Sequence, residues 1–182
     1  MCWPGMENET SGKPWPSTLI RRYLPELVYG SNDGIVTTFA IVAGITGASL
    51  SQQTILILGF ASLFADGMSM AASDVLSERS KGADRLTLRQ ASRHGAATFI
   101  GFILAGVVPL LAYLLPEFGM PRFALATILA GVTLFAVGAS RAFFTDRAAL
   151  RAGIEMFVIG AGAGGVAFAV GHFGARLTGG AL

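Results

Sequence analysis

Asp66, Met70 and Asp74 recur at i, i+4 and i+8 inside an otherwise apolar run, Phe60 to Ser80 (FASLFADGMSMAASDVLSERS). On a helix each such step turns about 40°, so the three side chains share one face over roughly 12 Å. Ser69, Ser73 and Ser77 form an adjoining stripe at the same spacing. A second lipid-length run, Tyr29 to Leu50 (YGSNDGIVTTFAIVAGITGASL), carries Asp33. A charged side chain in hydrocarbon costs at least about 2.5 to 3.5 kcal/mol, so acids at this depth require partners, water, protons or ions. Carboxylates attract divalent cations and a thioether adds a softer ligand, a combination that leans toward first-row transition metals over Mg²⁺ or Ca²⁺. The chemistry this predicts is movement of a cation along a polar stripe through a membrane.

Several of these residues also have plainer roles open to them. Asp33 lies in the sequence Ser31-Asn32-Asp33-Gly34, where it could cap a helix, and Asp74 could pair with Arg79. Asp66, eleven residues before Ser77 and close to mid-membrane, is a candidate proton-carrying group. Met68 reads as a packing residue, while Met70, between two acids on its face, stands evenly between packing and ligation. His94, beside Arg89 and Arg93, and His172, near the far end of the last apolar run, are poorly placed as ligands. Glu155 with Met156 reads as an interfacial anchor. No HExxH or GxSxG constellation is present, so the chain is not expected to be an enzyme and no resident cofactor is expected.

The elements that must position these side chains follow from composition. Of 182 residues 53% are hydrophobic and 13% charged, with mean hydropathy +0.62, against about 25% charged in a soluble domain. An all-α polytopic membrane protein is expected, with five transmembrane helices at about 33–50, 54–77, 94–115, 123–144 and 153–175, in a single domain over 19–182. The first span, with Thr37, Thr38, Thr46 and Ser49, is the least lipid-like and is expected to face protein. Before it, Leu19, Ile20, Tyr23, Leu24, Leu27 and Val28 recur at helical spacing as an interfacial amphipathic helix, kinked or stopped at Pro25. Residues 1–18, rich in Pro, Gly and polar types, are expected to form a disordered cytoplasmic tail. The lone Cys2 excludes an internal disulfide. Ser51 to Gln53 make so short a link that the first two spans must be an antiparallel hairpin. Small residues four apart on the last span, Gly160 with Gly164 and Ala161 with Gly165, permit close helix packing within one subunit or between two.

Positive charges set the orientation. Of 13 Lys and Arg, Lys13, Arg21, Arg22, Arg79, Lys81, Arg85, Arg89, Arg93, Arg141, Arg147 and Arg151 fall on one side of a five-span arrangement, and only Arg122 and Arg176 on the other. A cytoplasmic N-terminus and an exoplasmic C-terminus are expected. The basic loop between the second and third spans is read as this orientation signal, and no nucleic-acid partner is expected.

The runs Leu24 to Gly44 (LPELVYGSNDGIVTTFAIVAG) and Ala65 to Ser77 (ADGMSMAASDVLS), with Ala96 to Leu115 and the Gly/Ala-rich Met156 to Gly171, closely resemble the vacuolar iron transporter family, which includes the yeast vacuolar iron importer and the plant nodulin-21-like proteins. What the resemblance implies is a homodimer of five-helix subunits that carries Fe²⁺, often also Mn²⁺, out of the cytosol in exchange for protons. It further implies a path near the dimer interface lined by Asp33 and Met70, with Asp74 as the acid after the SM motif. Asp66 fits a position that is acidic in some members, and Glu26 an acidic position before the first span. Many members insert a metal-collecting domain between the second and third spans. Here only about Glu78 to Arg93 connects them, so the chain resembles the short form. Its compactness suits a bacterial inner membrane.

Overall fold

The structure, a computed structural model, describes residues 18–80, 87–116, 119–143 and 148–179. Five long helices follow one another: α1 (Thr18–Gly47), α2 (Gln52–Ser80), α3 (Leu88–Leu114), α4 (Arg122–Ser140) and α5 (Ala149–Leu177), with a single 3-10 turn at Arg141–Phe143. Among the described residues there is no strand. Residues 1–17, most of the expected tail, lie outside the described residues.

Helices α2, α3, α4 and α5 are each long and apolar enough to cross a membrane, and the chain is a multi-pass membrane protein. Helix α1 is as long but is not among them. It is the hub of the bundle, in contact with all four other helices, and Thr38 on it is completely buried. A helix sheathed by protein has no need of lipid-like side chains, which accounts for its threonines.

Two elements expected at the start of the chain are one. The amphipathic helix and the first span merge into α1, which runs unbroken through Pro25. Proline removes one backbone donor and crowds the preceding turn, but contacts on both sides of Pro25 hold the helix. Before it the Tyr23 ring meets His94; after it Glu26 reaches the same imidazole, and the backbone of Leu27 abuts Gly101. Ser31-Asn32-Asp33-Gly34 is not a turn either, for Gly30 and Gly34 press their bare backbone against the carbonyls of Thr98 and Phe102. The Ser31 hydroxyl donates to the carbonyl of Gly101 at 3.2 Å. Asp33 is therefore mid-helix and not an N-cap.

The link to α2 is as short as expected, shifted to residues 48–51. Leu50 N–H donates to Ile45 O at 3.1 Å and Ser49 N–H to Thr46 O at 3.0 Å. Ser49 adopts φ 58°, the left-handed residue of a Schellman ending. Ser51 then receives the backbone N–H of Thr54 on its hydroxyl at 3.3 Å, which starts α2 two residues earlier than expected. Thr87 and Gln90 form a capping box at the start of α3, so that helix begins six residues before the expected His94.

Helix α2 turns Ile55, Gly59, Leu63 and Gly67 inward and leaves Ile57, Leu58, Phe64, Met68 and Leu76 exposed. Met68 is thus an exposed side chain and not one packed in the bundle core. On α5, Gly160 receives Leu134 and Gly164 receives Phe39, both within the chain, whereas Gly162 and Gly165 have nothing near them.

Candidate metal path

Helix α3 sorts the polar residues of α1 and α2 into levels. Gly34 of α1 and Gly67 of α2 both abut Phe102, which brings their sequence neighbours Asp33 and Asp66 to one height. Their positions agree with the hairpin, since Asp33 stands sixteen residues before Ser49 and Asp66 sixteen after Leu50. At 1.5 Å per residue that height is about 24 Å from the hairpin tip. The two carboxylates are within electrostatic reach of each other. Both are half-buried, and the Ser62 hydroxyl donates to Asp66 from one turn away on the same helix.

One turn of α3 further from the tip lies Thr98. Gly30 abuts its carbonyl, and its hydroxyl donates to Asp74 at 2.7 Å. Asp74 thus takes Thr98; Arg79, five positions along, points about 140° around the helix from it. At this level a groove of about 400 Å³ is lined by Tyr29, Ser69, Met70, Ser73, Asp74, Ser77 and Thr98. The two stripes expected on α2 both contribute to it. The structure therefore brings Met70 and Asp74 together in one groove and sets Asp33 and Asp66 at one height a level deeper, while Asp33 is not part of the groove lining.

Glu26 belongs to a third level, and its partner was not legible from spacing. Its Oε1 lies 2.6 Å from His94 Nδ1, and the ring of Tyr23 meets the imidazole edge-on with centroids 4.9 Å apart. Sequence reasoning set His94 aside as a ligand and did not anticipate this pair or Thr98. The GxxxG formed by Gly30 and Gly34 was the available signal that α1 packs closely on another helix.

Among the described residues no three His, Cys, Asp or Glu side chains converge as a ready-made metal shell. What one chain offers is a carboxylate, a thioether and hydroxyls along one wall of an open groove, a set able to hold a partly hydrated, borderline-soft cation weakly. A larger cavity of about 550 Å³ near the hairpin tip, lined by Thr46, Tyr113 and Arg122 among others, has no acid among its described lining residues. There Arg122 donates to Gln52 and pins the two tips together.

The model of the VIT family matches residues 24–85 and 81–172. The chain belongs to the VIT family. Its relatives include vacuolar iron transporter homolog 5 of Oryza sativa subsp. japonica, 28% identical over 161 positions that cover 80% of this chain and 77% of the relative. Vacuolar iron transporter 1 of Arabidopsis thaliana is 21% identical over 206 positions, covering 79% and 82%. The vacuolar iron transporter of Plasmodium berghei (strain Anka) is 40% identical over 60 residues, 33% of this chain and 22% of the relative. The chain thus spans about a fifth of the length of that relative. The two VIT family matches meet at residues 81–85, in the link between α2 and α3. The 206 positions aligned with the Arabidopsis relative exceed the 182 residues of this chain, so that relative carries residues inside the matched region that are missing here.

Proposed function

We propose that this VIT family member transports Fe²⁺ or Mn²⁺ out of the cytoplasm across a membrane in exchange for protons, and that it does so without enzymatic chemistry. The observation that carries the reading is the groove in which Met70 and Asp74 meet the hydroxyls of α2 and Thr98, one level from the Asp33 and Asp66 carboxylates. A path for ions needs successive weak sites, because tight binding at any one would trap the cargo. Two carboxylates at one level attract a divalent cation or a proton and repel each other when both are charged and empty. Metal passes Asp74 and Met70 and then Asp33, with Asp66 as a proton site. Support for metal as cargo comes from the names of the relatives, which are iron transporters or their homologs.

In this reading α1 is a fifth crossing, walled by protein, with the N-terminus cytoplasmic and the C-terminus exoplasmic. The working unit is a homodimer. Ala61, Ala65, Ser69, Ser73 and Ser77 are all exposed along one side of α2, where a second copy would close the open groove and complete the ligand set. The split of the family match at residues 81–85 supports the short form, in which no metal-collecting domain separates α2 from α3. The relatives carry vacuolar names, and the bacterial inner membrane expected from the sequence gains no support from them.

The test is the purified protein in liposomes that hold a metal-sensitive dye and a pH dye, with Fe²⁺ under reducing conditions or Mn²⁺ added outside. Metal entry with proton exit, abolished in Asp33→Ala and Met70→Ala, is the expected result. Metal entry with no proton movement points to a passive channel. No entry of either metal from correctly assembled protein points to a non-transporting membrane scaffold.

A further inference from the structure

The Glu26–His94 pair stands outside the groove, on the side away from the hairpin tip. His94 is only 7% exposed, and its Nδ1 lies 2.6 Å from Glu26 Oε1. Glu26 Oε2 and His94 Nε2 are both buried without a hydrogen-bond partner among the described residues. In the neutral ring with Nδ1–H donating to the carboxylate, both orphan atoms are acceptors. A tie serving only to hold α1 to α3 would be less costly between neutral groups, because buried acceptors without donors weaken the fold. Two buried acceptors on an imidazole–carboxylate pair describe a vacancy for a positive charge. Glu26 and His94 line neither the groove nor the cavity near the hairpin tip, and a proton needs no cavity.

We propose that Glu26 and His94 form the cytosolic-side proton-carrying site of the exchange, in series with Asp66 and separate from the Asp33 and Asp74 carboxylates that meet the metal; this rests on the exchange reading above. A proton delivered from water on the far side forms the Nε2–H bond, giving an imidazolium held beside the Glu26 carboxylate. It leaves to cytosolic water and restores the neutral ring, with no change of oxidation state. The connection to the cargo runs through one turn of α3. Thr98 Oγ lies 3.3 Å from the carbonyl of His94 and 2.7 Å from Asp74, so the proton site and a metal-site acid are fixed to the same rigid segment. Among the side chains described, the other ionisable groups on the three helices around the pair are Tyr23 and Tyr29 on α1, Asp74, Glu78 and Arg79 on α2, and Arg89 and Arg93 on α3, with Arg141, Arg151 and Glu155 at the same end of the bundle on the 3-10 turn and α5. Tyr23 touches the imidazole, and Arg79, Arg89 and Arg93 are exposed. Histidine suits the task because its charge changes near physiological pH.

The experiment uses the same dye-loaded liposomes with full-length His94→Asn, which keeps an N–H near the Nδ1 position but cannot carry the proton, and Glu26→Gln, which keeps the hydrogen bond without the charge. Wild-type elution and helix content establish that each variant is folded, and His94→Gln replaces His94→Asn if it is not. The expected result is metal entry that persists while the pH-dye signal and the response to an imposed pH gradient are lost. Unchanged proton movement in folded variants overturns the assignment, as does equal loss of metal and proton movement, which would put the pair in the metal path. Should the wild type move metal without protons, the exchange reading itself fails, and the variants then have no coupling to lose.

Discussion

The α1–α3 crossing and the α4–α5 crossing both depend on glycine, yet they use it differently. Between α1 and α3, glycine brings backbone to backbone: Gly30 and Gly34 meet the carbonyls of Thr98 and Phe102, and Gly101 meets Leu27. Between α4 and α5, glycines mostly form notches for side chains, with Gly131 receiving Phe157, Gly153 receiving Phe135 and Gly160 receiving Leu134. A notch filled by a side chain can be repacked when the rotamer moves. Backbone against backbone has no such slack, and it fixes the height at which Asp33, Asp66, Asp74 and Glu26 stand. The rigid crossing lies where the chemistry is, and the adjustable one forms the supporting wall.

The comparison breaks most visibly at Gly34. Gly34→Val drives a side chain into the carbonyl of Phe102 and is expected to cost about 3 kcal/mol or more, read as lost monodisperse protein or a large fall in Tm. Gly160→Ala, which meets only the end of the Leu134 side chain, is expected to lower Tm far less. If the two fall equally, the distinction between the crossings is wrong. At the site, Asp74→Ala and Met70→Ala are expected to cut metal flux roughly tenfold or more, a loss above about 1.4 kcal/mol, while elution and helix content stay at wild type. Thr98→Val keeps the shape and removes the hydrogen bond to Asp74. A contact worth about 1 kcal/mol predicts roughly a fivefold lower flux in the same assay. The smallest effect is expected at Gly165, where an added Cβ meets nothing. Gly165→Ala should stabilise the helix by about 0.5 to 1 kcal/mol, read as a slightly higher Tm; a change in oligomeric state instead would mark that face of α5 as a subunit contact.

Hydrophobic patterning was enough for the four helices long and apolar enough to cross a membrane. Hydrophobic runs placed the ends of α2 to α5 within four residues, except that α3 starts six residues before the expected His94, and the i, i+4 spacing put Met70 and Asp74 on one face because both belong to a single helix. It failed where tertiary contacts overrule local signals. Pro25 and Ser31-Asn32-Asp33-Gly34 look like breaks in isolation, but the close seating of α1 on α3 carries the helix through them. Pairings across helices were also hidden. Thr98 finds Asp74 across 24 positions and His94 finds Glu26 across 68, and those meetings depend on where the glycines let the helices cross.

The Schellman ending at Ser49 has a bearing on how this chain tolerates change in length. Its hydrogen bonds lock a four-residue link, so one residue gained or lost there would rotate α2 by about 100° and shift it by about 1.5 Å. Asp66 would leave the height of Asp33, and Asp74 would turn from Thr98. Helices α2 and α3, by contrast, take their alignment from contacts such as Gly67 with Phe102 and Gly95 with Ala71. Insertions in this half of the molecule thus have one admissible place, at the end of α2, where they leave every acid at its level.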